Sequence, residues 1–285
     1  MISLNSINGD LNITRFPDGT PSIHIPAEYA LGNPQKPSRT TARAMQAAQR
    51  PVNITWNYDS DAELFTLICL TRKLQDLGFD DIVLIMPYIP NARMDRTKNP
   101  DEVFTLKYFA EIINSLHFSR VIVLDAHSNV SLALIDRVSC VSPKHNIKFV
   151  MDKYLDHENI TLFFPDEGAA KRYADMAESL GLPYVFGIKN RDWKTGEILN
   201  LSLAGQTDEI KDKDILIIDD ICSRGKTFYH SAKALKSAGA ADIYLYVSHC
   251  ENIVLDGSMI KSGLIKHIYT TDSIFRNSHE LITLI

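Results

Sequence analysis

An α/β fold built twice, each half a mostly parallel sheet flanked by helices, is what the sequence predicts. Three observations point there. Short apolar runs alternate with amphipathic stretches of helical length, the pattern of strand–helix–strand units. The same rhythm starts again halfway along the chain. Unusual polar clusters sit just after apolar runs, where open parallel sheets bind ligands.

The elements follow in order. Val52–Trp56 reads as a strand, and Ser60–Leu77 as a helix. Ser60 and Glu63 have the spacing of a capping box, and Gly78 stands at the stop. Ile82–Met86 is a buried-strand run ended by Pro87. Val103–Leu116 reads as a helix and Arg120–Leu124 as a strand. In the second half, Thr161–Phe164 is a strand and Ala169–Leu180 a helix stopped by Gly181. Tyr184–Ile188 and Ile215–Ile218 are strands, Thr227–Ala238 is a helix before Gly239, and Ile243–Val247 and Ile268–Thr271 complete the series. The polar stretch 32–50 reads as a long loop with a short helix near 42–49. Pro143 and its polar neighbours place a domain junction there, giving domains 1–142 and 143–285.

The chain has 285 residues, enough for two domains. Its net charge of -5 and lack of a basic stripe argue against nucleic acid as a partner. The four cysteines are scattered without CxxC spacing, which fits a reducing compartment. Residues 1–10 lack a leader pattern. No apolar run approaches the ~20 residues a membrane span needs. A soluble, cytoplasmic protein without membrane partners is expected.

The five polar clusters are 87–96, 125–128, 165–168, 189–191 and 219–227, and they are expected to converge on one site. In the last, four apolar residues lead into Asp219 and Asp220, a short loop, and a helix start that suits phosphate. Adjacent carboxylates can accept from the vicinal hydroxyls of a sugar. They can equally do no more than cap a helix, and both readings stand on residues alone. A lone histidine such as His127 is more often structural. Asp166 alone reads as a helix N-cap, Asp18-Gly19 as a turn, and Lys189 and Arg191 as surface charge.

The segment Ile215–Thr227 resembles the PRPP-binding fingerprint shared by phosphoribosyltransferases and PRPP synthetases. Asp219, Asp220, Gly225 and Thr227 match it; Ser223, Arg224 and Lys226 depart from it. Five further segments resemble the PRPP synthetase family in order. Pro87–Arg96 is similar to its ATP-contacting segment, which implies ATP contacts for Arg93 and Arg96 with Asp95 holding the loop. Asp125–Ser128 implies His127 as a ligand to magnesium or ATP phosphate. Pro165–Arg172 implies that Asp166 serves magnesium. Lys189 and Arg191 match the catalytic cations at the start of a closing loop, here residues 192–203. Phe16 and Asp18 match an N-terminal element that reaches the adenine site of a neighbouring subunit.

The resemblance therefore implies a Mg²⁺- and ATP-dependent diphosphotransferase assembling as a homodimer or homohexamer. Asp219 and Asp220 would orient the ribose, and Ser223, Arg224, Gly225, Lys226 and Thr227 would hold its 5-substituent. Two added cations in that loop make ADP-ribose an acceptor candidate beside ribose 5-phosphate. Alternatives are a PRPP-consuming phosphoribosyltransferase and a catalytically silent regulatory subunit.

Overall fold

The computed structural model describes residues 1–5, 10–30, 51–191 and 198–285. The expected loop 32–50 and part of the expected closing loop, 192–197, fall outside them. The chain forms two units, Met1–Val141 and Ser142–Ile285.

The first unit carries a five-stranded sheet. β1 (Ile2–Leu4) lies antiparallel to β4 (Val52–Trp56); β5 (Ile82–Ile85), β6 (Arg120–Leu124) and β7 (Val138–Val141) continue in parallel. A separate hairpin joins β2 (Asn12–Arg15) to β3 (Pro21–His24), followed by α1 (Ala27–Ala30). Helices α2 (Ala62–Asp76), α3 (Thr105–Ser115) and α4 (Asn129–Leu134) make the crossovers between parallel strands. Strand alternation sends Ile54, Trp56, Leu84, Val121 and Val123 into one core with Leu67, Leu70 and Phe109 of the helices.

The expected capping box does not form. Asp61 occupies the N-cap of α2 but its side chain does not cap the helix, accepting instead from the Tyr58 hydroxyl at 2.9 Å. Glu63 instead accepts from Trp56 Nε1 at 2.9 Å and Asp59 N–H at 3.0 Å, and pairs with the terminal amine at 2.6 Å. A buried indole N–H must find an acceptor, and that demand outcompetes the cap.

The second unit opens with α5 (Lys144–Tyr154). It holds a seven-stranded sheet ordered β10-β9-β8-β11-β12-β13-β14. The strands are β8 (Ile160–Phe164), β9 (Tyr184–Arg191), β10 (Ile198–Gly205), β11 (Asp214–Cys222), β12 (Ile243–Cys250), β13 (His267–Thr270) and β14 (Ile282–Leu284). Only β9–β10 is antiparallel. Helix α6 (Glu167–Leu180) follows β8, α7 (Lys226–Ser237) follows β11, and the short α8 (Ser258–Ser262) follows β12. Leu216 and Ile218 of β11 pack with α5 and α6 in one core. Ile215 and Ile217 pack with α7 in another, on the opposite face.

Two expectations need correction here. The strand expected to end at Ile218 runs on to Cys222, so Asp219 and Asp220 lie within β11. The strand expected to end at Ile188 reaches Arg191, and residues 198–203 of the expected closing loop form its antiparallel partner β10.

Candidate active site

In the second unit, β8 has β9 on one side and β11 on the other. Crossovers from this pair run in opposite directions, leaving a crevice at the carboxyl ends of β8 and β11. Three of the predicted acids stand there. Asp166 follows β8 and caps α6, its Oδ1 accepting from Ala169 N–H at 2.9 Å. Asp219 and Asp220 lie across the crevice on β11.

Alternation along β11 gives the two acids different neighbours. Asp220 continues the face of Leu216 and Ile218, toward α6, and is buried. Its Oδ1 lies 2.9 Å from Arg172 Nη1. Asp219 continues the face of Ile217, and its Oδ1 accepts from Asp220 N–H at 3.0 Å. Burial pushes the Asp219 carboxyl well above its ordinary range, and the Asp220 and Asp166 carboxylates push it further. A perturbed acid in a crevice is a mark of a functional site.

Arg172 escaped the sequence reading as a site residue. Its signal was a cation beside the apolar stripe of α6, where Ala169, Tyr173, Met176 and Ala177 are buried. Removing it takes an ion-pair partner from a buried carboxylate. Arg172→Ala is expected to lower unfolding free energy by about 2–3 kcal/mol, below the usual ~3–5 for a fully buried pair, because its side chain is 28% exposed. Urea denaturation reads this. A loss under about 0.5 kcal/mol, typical of a surface pair, would show that Asp220 does not depend on it.

The loop after β11 brings Ser223, Arg224, Gly225, Lys226 and Thr227 to the start of α7. Gly225 is the N-cap, in the left-handed region at φ 73, and no side chain caps the helix. A helix start without a side-chain cap offers N–H groups and a positive dipole end to an anion. Arg224 and Lys226 are exposed; Ser223 and Thr227 are half-buried.

Lys189 and Arg191 lie on β9 beyond its pairing with β8, which ends at Phe164–Phe186; Lys189 pairs with Leu201 of β10. Their side chains lie outside the described residues.

In the first unit, the loop after β5 is anchored by buried Ile89 and Ala92 and exposes Arg93 and Arg96. Asp95 sits 3.5 Å from Arg96 Nε. Asn91 takes a positive φ of 63, and its carbonyl accepts from Met94 N–H. After β6, buried Asp125 adopts a φ of 44, which costs on the order of 1 kcal/mol and is a mark of functional loops. Half-buried His127 follows it. Phe16 is exposed at the β2–β3 turn. Asp18 holds that turn by accepting from Thr20 N–H at 2.9 Å, a bond that lowers its carboxyl below the ordinary range.

A family model, "Phosphoribosyl transferase domain", matches residues 143–259. A ribose-phosphate pyrophosphokinase of Campylobacter jejuni is 29% identical over 93% of this chain and 79% of its own. One of Saccharolobus solfataricus is 27% identical over 81% of this chain and 78% of its own. A solved phosphoribosylpyrophosphate synthetase from Mycobacterium smegmatis overlays 98% of this chain and 86% of its own, with TM-score 0.75 at 16% identity, a likeness of fold. Over most of its length the chain is similar to ribose-phosphate pyrophosphokinases, which are transferases. Among the described residues no helix is long and apolar enough to cross a membrane.

The chemistry of the three acids in the crevice suits a hard cation. Asp166, Asp219 and Asp220 offer only oxygen, and Asp219 feels both neighbours as unfavourable charge that a cation would relieve. Among the described residues no group of three His, Cys, Asp or Glu side chains is close enough to ligate a metal outright. Mg²⁺ tolerates that, because it retains several waters and needs few protein ligands.

Proposed function

We propose that this chain moves the β,γ-diphosphate of ATP to the C1 hydroxyl of ribose 5-phosphate, or of a ribose extended at its 5-position such as ADP-ribose. A bond forms between the sugar O1 and the β-phosphorus. The bond from that phosphorus to the α,β-bridging oxygen breaks, AMP leaves, and the hydroxyl proton passes to water. The observation that carries this reading is the acid pair Asp219–Asp220 beside a helix start without a side-chain cap, at the sheet's reversal point.

In this reaction Asp219 and Asp220 accept hydrogen bonds from the ribose hydroxyls. Ser223 to Thr227 hold the 5-substituent through backbone N–H groups and the charges of Arg224 and Lys226. Lys189 and Arg191 stabilise charge on the transferred group. Arg93, Arg96 and His127 serve the ATP phosphates, and Phe16 and Asp18 the adenine. Asp166 in one unit and His127 in the other are each candidate ligands for magnesium, directly or through water, and the cation would supply charge neutralisation on the phosphates. Residues 1–142 act as the PRPP-synthetase-like domain and 143–285 as the phosphoribosyltransferase-like domain, in a homodimer or homohexamer in the cytoplasm.

The test is AMP release from ATP with Mg²⁺ and each acceptor, followed by ³¹P NMR. AMP forming in step with a C1-diphosphorylated sugar is the expected result. Consumption of PRPP with a free base and no ATP dependence would replace it with a phosphoribosyltransferase.

A further inference from the structure

Beside the loop 223–227 opens a recess of about 300 Å³. It is lined by Arg224 and Lys226, by Tyr229 and His230 of α7, and by the segment Asp256–Ser258. Its walls meet backbone to backbone. A Cβ on Gly257 would overlap the Arg224 carbonyl, and one on Gly225 would stand 2.8 Å from Met259 Sδ. The volume corresponds to about ten waters at ~30 Å³ each, at the small end of ligand pockets. A single phosphate seated on the helix start leaves most of it unused.

The lining has a definite chemistry. The Arg224 guanidinium has no ion pair among the described residues, and its planar fork suits two phosphate oxygens at once. Lys226 adds a second charge one residue beyond the Gly225 cap. Two cations at one loop match two phosphates better than one. Tyr229 is half-buried, with the His230 ring 5.5 Å away and Lys233 Nζ 5.9 Å from its centroid. Asp256, the one acid among the described lining residues, repels a bare polyphosphate but accepts hydrogen bonds from hydroxyls.

We propose that this recess takes the second phosphate and the adjoining hydroxyl-bearing group of a ribose esterified at its 5-carbon by a diphosphate. The preferred acceptor is then a nucleoside-diphosphate-linked ribose rather than ribose 5-phosphate. This rests on the reading of Asp219–Thr227 as the acceptor site.

The experiment compares ADP-ribose and ribose 5-phosphate as acceptors by AMP release, and titrates ADP-ribose into the intact protein calorimetrically. It uses wild type, Ser258→Trp, which fills the recess from an exposed position, and Arg224→Ala. In wild type, kcat/KM is expected to favour ADP-ribose by about tenfold or more. Both variants should cut that preference, and ADP-ribose affinity, by about tenfold. An unmoved preference and an unmoved affinity in both variants would overturn the assignment. Turnover of ribose 5-phosphate with refusal of ADP-ribose would also overturn it, while leaving the diphosphotransferase reading intact. AMP from neither acceptor, with ADP-ribose binding still weakened by Ser258→Trp, would sink the reaction and support the recess.

Discussion

Lys189→Ala is expected to lower kcat about 100-fold, the effect of removing one preorganised stabiliser worth ~3 kcal/mol of barrier. Diphosphoryl transfer gains little from covalent help and depends on fixed charge around the moving group. Lys189 lies on β9 past the end of β8, yet is tied by its pairing with Leu201. A paired strand fixes the backbone at Lys189 more tightly than a free loop would. The backbone bonds of β9 survive loss of the side chain, and thermal stability should stay near wild type. Because the role proposed for Lys189 uses its charge mainly in the transition state, acceptor KM should move less than about threefold. Steady-state kinetics on ATP and acceptor read both. A kcat within about threefold of wild type would remove Lys189 from catalysis, and a rise in KM alone would make it a binding residue.

The second large effect concerns Asp219→Asn, where stability and activity should move in opposite directions. The folded-state Asp219 carboxyl is raised by burial first, then by Asp220. A raised acid contributes stability below its unfolded value, 3.8, and loses that contribution as pH climbs through the folded value. As pH rises above the unfolded value, ionising Asp219 costs more in the native state than in the unfolded chain. The asparagine variant should unfold at higher temperature at pH 8, by an amount on the order of 1 kcal/mol, and the advantage should fade toward pH 4. The same change removes an acceptor for a ribose hydroxyl, and kcat/KM for the sugar should fall about 100-fold. Melting curves across pH, paired with acceptor kinetics, decide it. A pH-independent Tm difference would show that Asp219 carries no native-state penalty.

Much of the scaffold was legible because its signals are local. Val52–Trp56 and Arg120–Leu124 occupy the residues the apolar runs gave, and Gly181 stops α6 with a left-handed φ of 68. The misreadings fall where pairing outvotes composition. Asp219 and Asp220 look like a strand end, but the backbone of β11 stays paired with β12 through Cys222–Cys250. β12 is buried along its whole length, and its unpaired carbonyls would be costly. The ribbon β9–β10 was hidden for the same reason, since its polar residues are held by antiparallel bonds to one neighbour. Helix α5 was lost because Pro143 was read as a break. It sits at the N-cap, just before the first turn, where the missing N–H is harmless, and Ile147, Val150 and Met151 form the buried stripe that follows.

The site divides along the same line. Residue types and spacing pointed to the acids, the loop cations and Asp166 as a cap, but misplaced the cap of α2. They did not reveal Arg172, whose partner Asp220 lies 48 positions away.

The pressing of Gly257 against the Arg224 carbonyl has a consequence for how this protein diverges. Two stretches more than thirty residues apart share one seam with no slack, so neither can lengthen or gain bulk alone. Changes at 223–226 should be inherited together with changes at 256–259, and the acids on β11, outside that seam, are left to vary under separate constraint.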